Sequence, residues 1–193
     1  MPLILASASL IRRALLVQAG IDHEAIAATV DEAAIKTLHH DADAAALKLA
    51  EAKALQVSAD RPADWIIGSD SIVTVDGRMF DKPANRAEAA AHLRLFAGKD
   101  MILTSAVALA RGGKVDWSLA ERANLKVRPL SDRFIADYLD AEWPAVSYCV
   151  GVFRMEGRGV ALFDRIEGSH FTLLGLPLLP LLGALRARGL VQS

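Results

Sequence analysis

Within "ADWIIGSDSIVTVDG", residues 63–77, an acid interrupts a run that otherwise reads as a buried strand. A buried carboxylate costs free energy unless something pairs with it. Asp70 is therefore either a solvated break in the strand or a group whose role needs a charge there. Strand alternation puts Gly68, Asp70 and Ile72 on one face, with Gly68 leaving space beside the acid. A carboxylate fixed by a sheet could hold a divalent metal or take a proton from water. A second candidate is "SASLIRR", residues 7–13. Arginines in the first turns of a helix oppose its macrodipole, which favours acids there. They make sense if an anion binds at that end, cradled by backbone N–H groups, the hydroxyls of Ser7 and Ser9, and an arginine. The alternative is a plain helix cap with two solvated arginines. Lys53 lies in an apolar stripe with Ala46, Leu49, Ala50 and Val57, from which it either snorkels to water or meets an anion. "VDEAAIK", with Asp31 and Glu32, and "FDKPANR", with Asp81 and Lys82, read singly as turns or charged faces.

These groups need elements to position them. "LILA" is a short strand, and "SLIRRALLVQAG" a helix that Ser9 caps and Gly20 stops. The alanine-rich stretch 41–60 is strongly helical. "WIIGSDSIVTV" is a strand followed by Asp76-Gly77, a hairpin signal. "RAEAAAHLRLFAG" is a helix; residues 101–127 form a long hairpin about Gly112-Gly113. Ser131 caps a helix "DRFIADYLDAE", which Pro144 terminates. "SYCVGVFRMEGRGVALFDRI" is β-like with glycine turns, and an amphipathic helix lies around "LLPLLGALRARG". Alternating strands and helices with added hairpins predict an α/β fold with a mixed sheet.

The 193 residues are 53% hydrophobic with a net charge of −1, which gives a sizeable core and no basic excess. A general nucleic-acid binder would show that excess, so nucleic-acid polymers are not expected partners. The single Cys149 excludes an internal disulfide and a thiolate metal site, and reads as a small core residue. The five histidines form no H-E-x-x-H pair, and "GSDS" is not a G-x-S-x-G elbow. Apolar runs at both ends are too short or too proline-interrupted for a bilayer span, so a cytoplasmic protein is expected.

Taken in order, "LASASLIRRALL", "VDE", "KLAEAKA", "IIGSDSIV", "DKP", "LTSAVAL", "EG" and "GLPL" resemble the Maf-like nucleotide pyrophosphatase family over nearly the whole chain. The resemblance implies one Maf-like domain over 1–193. It implies a mixed twisted sheet flanked by helices, with two lobes around a cleft, similar to inosine triphosphate pyrophosphatase. It also implies hydrolysis of nucleoside triphosphates to monophosphate and pyrophosphate with a divalent cation (magnesium, manganese or cobalt). By motif, Asp70 matches the general base, and Ser7 and Arg12 match the phosphate-binding pair. Glu32 matches an acid that is metal-linked or catalytic, and Lys53 and Lys82 match two active-site lysines. Glu32 and Asp70 are then the expected metal ligands.

Ile11, Ser71 and Glu156 stand where branches of the family differ. The thymidine/uridine branch has Arg, Thr and Gln at these positions. "FRMEGRGVALFDRIEG" looks instead like the branch acting on 7-methyl-GTP, although that branch has an aromatic at position 11 and Gln at 71. A glutamate at 156 can accept from guanine N1–H and N2–H₂, donors absent from that edge of uracil and thymine. The family's His of "H-x-V-x-T" is missing, leaving Thr104. The expectation is a nucleotide pyrophosphatase for a modified purine such as 7-methyl-GTP, with a homodimer allowed for. The alternatives are a dTTP/UTP pyrophosphatase of the same family and a nucleotide-binding regulator of cell division or septum formation without turnover.

Overall fold

The computed structural model describes residues 3–192; residues 1, 2 and 193 of the expected domain lie outside it. The apolar "LILA" forms β1 (Leu3–Ala6), which runs parallel to β2 (Glu24–Ala25) and to β3 (Trp65–Val75). After Asp76-Gly77 the chain turns back into β4 (Arg78–Phe80), antiparallel to β3. Beyond it come β5 (Asp100–Arg111), β6 (Lys114–Val127) and β7 (Phe163–Glu167). The sheet has seven strands in the order β2-β1-β3-β5-β6-β7, with β4 on β3. β1 pairs in parallel with β2 and β3, whereas β3 with β4 and β6 with β7 pair antiparallel. The expected mixed sheet is therefore present.

Caps set the helix starts. Ser9, Asp41 and Ser131 each accept a backbone N–H from the first turn of α1 (Leu10–Gln18), α3 (Ala42–Asp60) and α5 (Asp132–Glu142). Asn85 does the same for α4 (Arg86–Phe96). Two short helices, α6 (His170–Leu173) and α7 (Leu178–Arg186), follow β7. Between β2 and α3 lies α2 (Glu32–Leu38), where the sequence reading saw a turn or a charged face. Asp31 caps it, accepting from Ala34 N–H at 2.9 Å.

Contacts divide the chain into two compact units. One takes residues through Ser71, Thr104–Glu121 and those from Ser169 on; the other takes Ile72–Leu103 and Arg122–Gly168. In the first, Leu5, Leu16, Ile67, Leu109 and Leu181 form a fully buried apolar cluster. In the second, α4 lies against α5, and Phe80 meets Phe96 edge-on at 4.8 Å.

One expectation fails here. Residues 147–162 do not form strands but short 3-10 turns over Ala145–Tyr148, Val150–Val152 and Arg158–Leu162. Glycines at 151, 157 and 159 interrupt the run before any extended stretch is long enough to pair. Cys149 consequently lies half-buried between two turns instead of in a core strand.

Candidate active site

Gly68 does not leave open space, as the sequence reading supposed. A Cβ there would lie 2.1 Å from the Ala50 carbonyl oxygen and 2.7 Å from the Ala54 nitrogen. The backbone of α3 fills that space. It can do so because Ala46, Ala50 and Ala54 present no bulk, and all are fully buried. This close approach brings Lys53, on α3, to Asp70, two residues along the same face of β3. Lys53 Nζ lies 2.6 Å from Asp70 Oδ1 and 2.7 Å from Glu32 Oε1, the latter at the start of α2. The Lys53 and Asp70 side chains are 12% and 10% exposed; Glu32 is 43% exposed. One ammonium thus bridges two carboxylates, one deep and one open to solvent.

Arg12 lies in the same unit. Its Nε donates to the Gly175 carbonyl at 2.8 Å, Nη1 to the Ser69 carbonyl at 2.9 Å, and Nη2 to Ser71 Oγ at 3.0 Å. A longer contact of 3.5 Å joins Nη1 to Ser7 Oγ. These bonds engage four of the five N–H donors of a guanidinium. Burial lowers the Arg12 pKa below its ordinary value, while the Asp70 and Glu32 carboxylates oppose that shift. Ser7 Oγ also accepts from Ser9 N–H at 3.2 Å, and Ser9 Oγ caps α1 through Arg12 N–H at 3.4 Å. The start of α1 carries no acid in its first turn.

The structure therefore brings Asp70, Lys53, Glu32, Arg12, Ser7 and Ser9 into one unit. Ile11 packs against the apolar cluster. The Ser71 hydroxyl meets Arg12 and, at 2.9 Å, Ser105 Oγ. Ser69, Ser105 and Gly175, which hold this arginine network, were not singled out from sequence. Backbone carbonyls leave no residue-type signature, and Ser105 sits beside the more conspicuous Thr104, which instead donates to Asp43 at 3.0 Å.

The remaining candidates belong to the second unit. Lys82 is exposed in the loop between β4 and α4, anchored by buried Pro83. Glu156 is exposed in the turns after α5 and accepts from Arg154 Nε at 3.4 Å. Nearby, burial and then the Glu156 charge push the Cys149 thiol up to about 11.

Among the described residues, no group of three or more His, Cys, Asp or Glu side chains could hold a metal ion. Asp70 and Glu32 nevertheless share one cation, the Lys53 ammonium. Two carboxylates fit a hard cation such as magnesium that keeps its waters and brings substrate phosphate oxygens as ligands. They do not form an all-protein metal cage.

Together the fold and this cluster define an α/β protein with carboxylates and cations gathered about the middle of a strand of a mixed sheet, with a helix N-terminus in the same unit. The chain belongs to the Maf-like protein family, whose profile matches residues 2–188. It is 44% identical to a nucleoside triphosphate pyrophosphatase of Nitrobacter winogradskyi over 99% of this chain and 96% of that one. Identity is 46% to another protein of that name from Sphingopyxis alaskensis, over the whole of both chains. It is 45% to a 7-methyl-GTP pyrophosphatase of Rhizobium etli, over 99% and 98%. Among solved structures, a nucleoside-triphosphatase / dITP/XTP pyrophosphatase from Mycobacterium abscessus aligns over 98% of this chain and 97% of that one, with a TM-score of 0.47 and 18% identity. Among the described residues no helix is long and apolar enough to cross a membrane.

Proposed function

We propose that the protein is a nucleoside triphosphate pyrophosphatase, releasing nucleoside monophosphate and pyrophosphate, with a modified purine nucleotide such as 7-methyl-GTP as its substrate. The observation that carries the reading is the Lys53 bridge between Asp70 and Glu32 in a chain of this family. A protein that only binds nucleotides needs basic groups but has little use for two acids beside them.

In this reading Asp70 is the general base. Lys53 holds one of its oxygens, which leaves the other to take a proton from water. The water oxygen bonds to the α-phosphorus, the bond from that phosphorus to the bridging oxygen breaks, and pyrophosphate leaves. A triphosphate carries about four negative charges at neutral pH, and cations are needed to offset them. Lys53 and Lys82 supply charge. Ser7 and Ser9 keep hydroxyl protons to donate, and the N-terminus of α1 adds backbone N–H groups. Arg12 contributes its charge and one remaining N–H, and acts mainly as a strut under the phosphate site. Asp70 and Glu32 would hold a divalent cation, which when bound neutralises phosphate charge and polarises the reacting phosphoryl group. Glu156 reads the base by accepting from guanine N1–H and N2–H₂.

The test is pyrophosphate release over 7-methyl-GTP, GTP, CTP, UTP and dTTP, with and without magnesium or manganese. Metal-dependent turnover led by 7-methyl-GTP is expected. Pyrimidine preference would refute the base assignment alone. Tight binding without turnover would refute the enzyme.

A further inference from the structure

Glu142 is the last residue of α5, where the helix dipole disfavours an acid. It is only 8% exposed. Nothing in helix packing calls for a buried carboxylate there, and burying one is costly without partners. Its hydrogen-bond and charge partners, Arg158 and Arg154, lie in the segment that carries Glu156. Oε1 accepts from the Arg158 backbone N–H at 3.0 Å. Gly157 lies flat against the carboxylate: a Cβ there would be 2.8 Å from Oε2. Oε2 has no hydrogen-bond partner among the described residues but faces the Arg154 guanidinium at 3.8 Å. Arg154 in turn reaches Glu156 Oε1 through Nε. The Glu142 charge is felt locally: after burial, it is the next cause raising the Tyr138 phenol pKa.

We infer that Glu142 is a positioning residue for base selection, an interior acid that fixes the 154–158 turn and aims Glu156 through Arg154. This rests on the proposed function and on the role given there to Glu156. The turn has no sheet or helix to hold it, so its shape depends on such local bonds. Arg154 sits between two acids with opposite surroundings. The buried one fixes the guanidinium in place, and the exposed one keeps an oxygen for ligand. Glu142 touches no reacting atom in this scheme, so its loss should change which nucleotide is chosen rather than how fast the bond breaks.

Glu142→Gln keeps the shape and the acceptor for Arg158 N–H and removes the charge that faces Arg154. Arg154→Met breaks the same relay from its solvent side. Steady-state pyrophosphate release is measured for both, for the double variant and for the wild type, with 7-methyl-GTP and UTP. Each single variant is expected to raise KM for 7-methyl-GTP about tenfold, with kcat within about twofold and UTP parameters little changed. The double variant should lose no more than either single one. An unchanged ratio of kcat/KM between the two nucleotides, or an equal fall in kcat for both, overturns the inference. If Glu142→Gln does not fold, Arg154→Met decides by the same criteria. A wild type that prefers UTP overturns the inference and leaves the hydrolase standing. A wild type with no turnover overturns both.

Discussion

The two units treat their charged groups differently. In the first, Asp70, Lys53 and Arg12 project from a strand and two helices, the acid buried and the two cations largely covered, and are held by bonds of 2.6–3.0 Å. In the second, Lys82 and Glu156 sit exposed on a loop and a turn, and the bond from Arg154 to Glu156 is 3.4 Å long. Bond-breaking chemistry needs groups fixed to within a fraction of an ångström, which regular elements provide. Recognition of a base tolerates more movement, and turns can change sequence without disturbing a core. On this comparison, damage to Asp70, Lys53 or Arg12 should reduce turnover of every nucleotide, and damage at the Glu156 turn should redistribute turnover among nucleotides.

The strongest attempt to break the comparison is Asp70→Asn. Pyrophosphate release should fall by about a hundred- to ten-thousandfold for all substrates alike. Turnover near wild type would remove Asp70 from the chemistry. Lys53→Met comes next. It leaves Asp70 buried without its ammonium, so activity should fall and unfolding free energy drop by about 1–3 kcal/mol in denaturant titration. Gly68→Ala tests the scaffold alone. The added methyl cannot fit against Ala50 and Ala54. Overpacking should cost about 1–3 kcal/mol, and activity should fall because Lys53 is pushed away from Asp70. Retained activity with lowered Tm would show that the helix shifts without carrying Lys53 off. Glu156→Gln should change the preference between 7-methyl-GTP and UTP about tenfold while leaving Tm within about a degree.

The smallest effect concerns Cys149, whose thiol is held up to about 11 by burial first. At pH 8 the folded protein should react with iodoacetamide about a hundredfold more slowly than the unfolded chain. The sign of the linked stability follows from the raised value. The folded state keeps the proton longer, so this contribution is complete below the unfolded thiol pKa and fades as pH rises from there through about 11. Equal alkylation rates would mean that the turns around Cys149 open freely.

Much of this was legible because local chemistry dictates it. Ser9 and Ser131 cap the helices they were expected to cap, and Asp76-Gly77 and Gly112-Gly113 turn their hairpins. Asp70 stood out as a charge in an apolar strand. That it meets Lys53 was not readable from spacing, since it depends on a helix backbone settling on Gly68. Asp31 before two alanines was a cap signal for α2 that was passed over, and with it the ordered placement of Glu32. The turns over 145–162 misled because valine and phenylalanine there suggest strands, while the glycines between them decide otherwise. The grip on Arg12 was hidden because two of its partners are main-chain oxygens.

That grip has a consequence for synthesis. Arg12 leaves the ribosome early, yet the Gly175 carbonyl that receives its Nε is 163 residues further along the chain. Until that late segment emerges, the arginine lacks one of its acceptors, and the proposed phosphate site lacks its strut. Contacts of such long sequence separation form late and slowly. A nascent chain that already contains Ser7, Glu32, Lys53 and Asp70 is therefore still without the finished set of groups proposed for catalysis. Nucleotide hydrolysis should begin only once Gly175 has emerged and closed on Arg12.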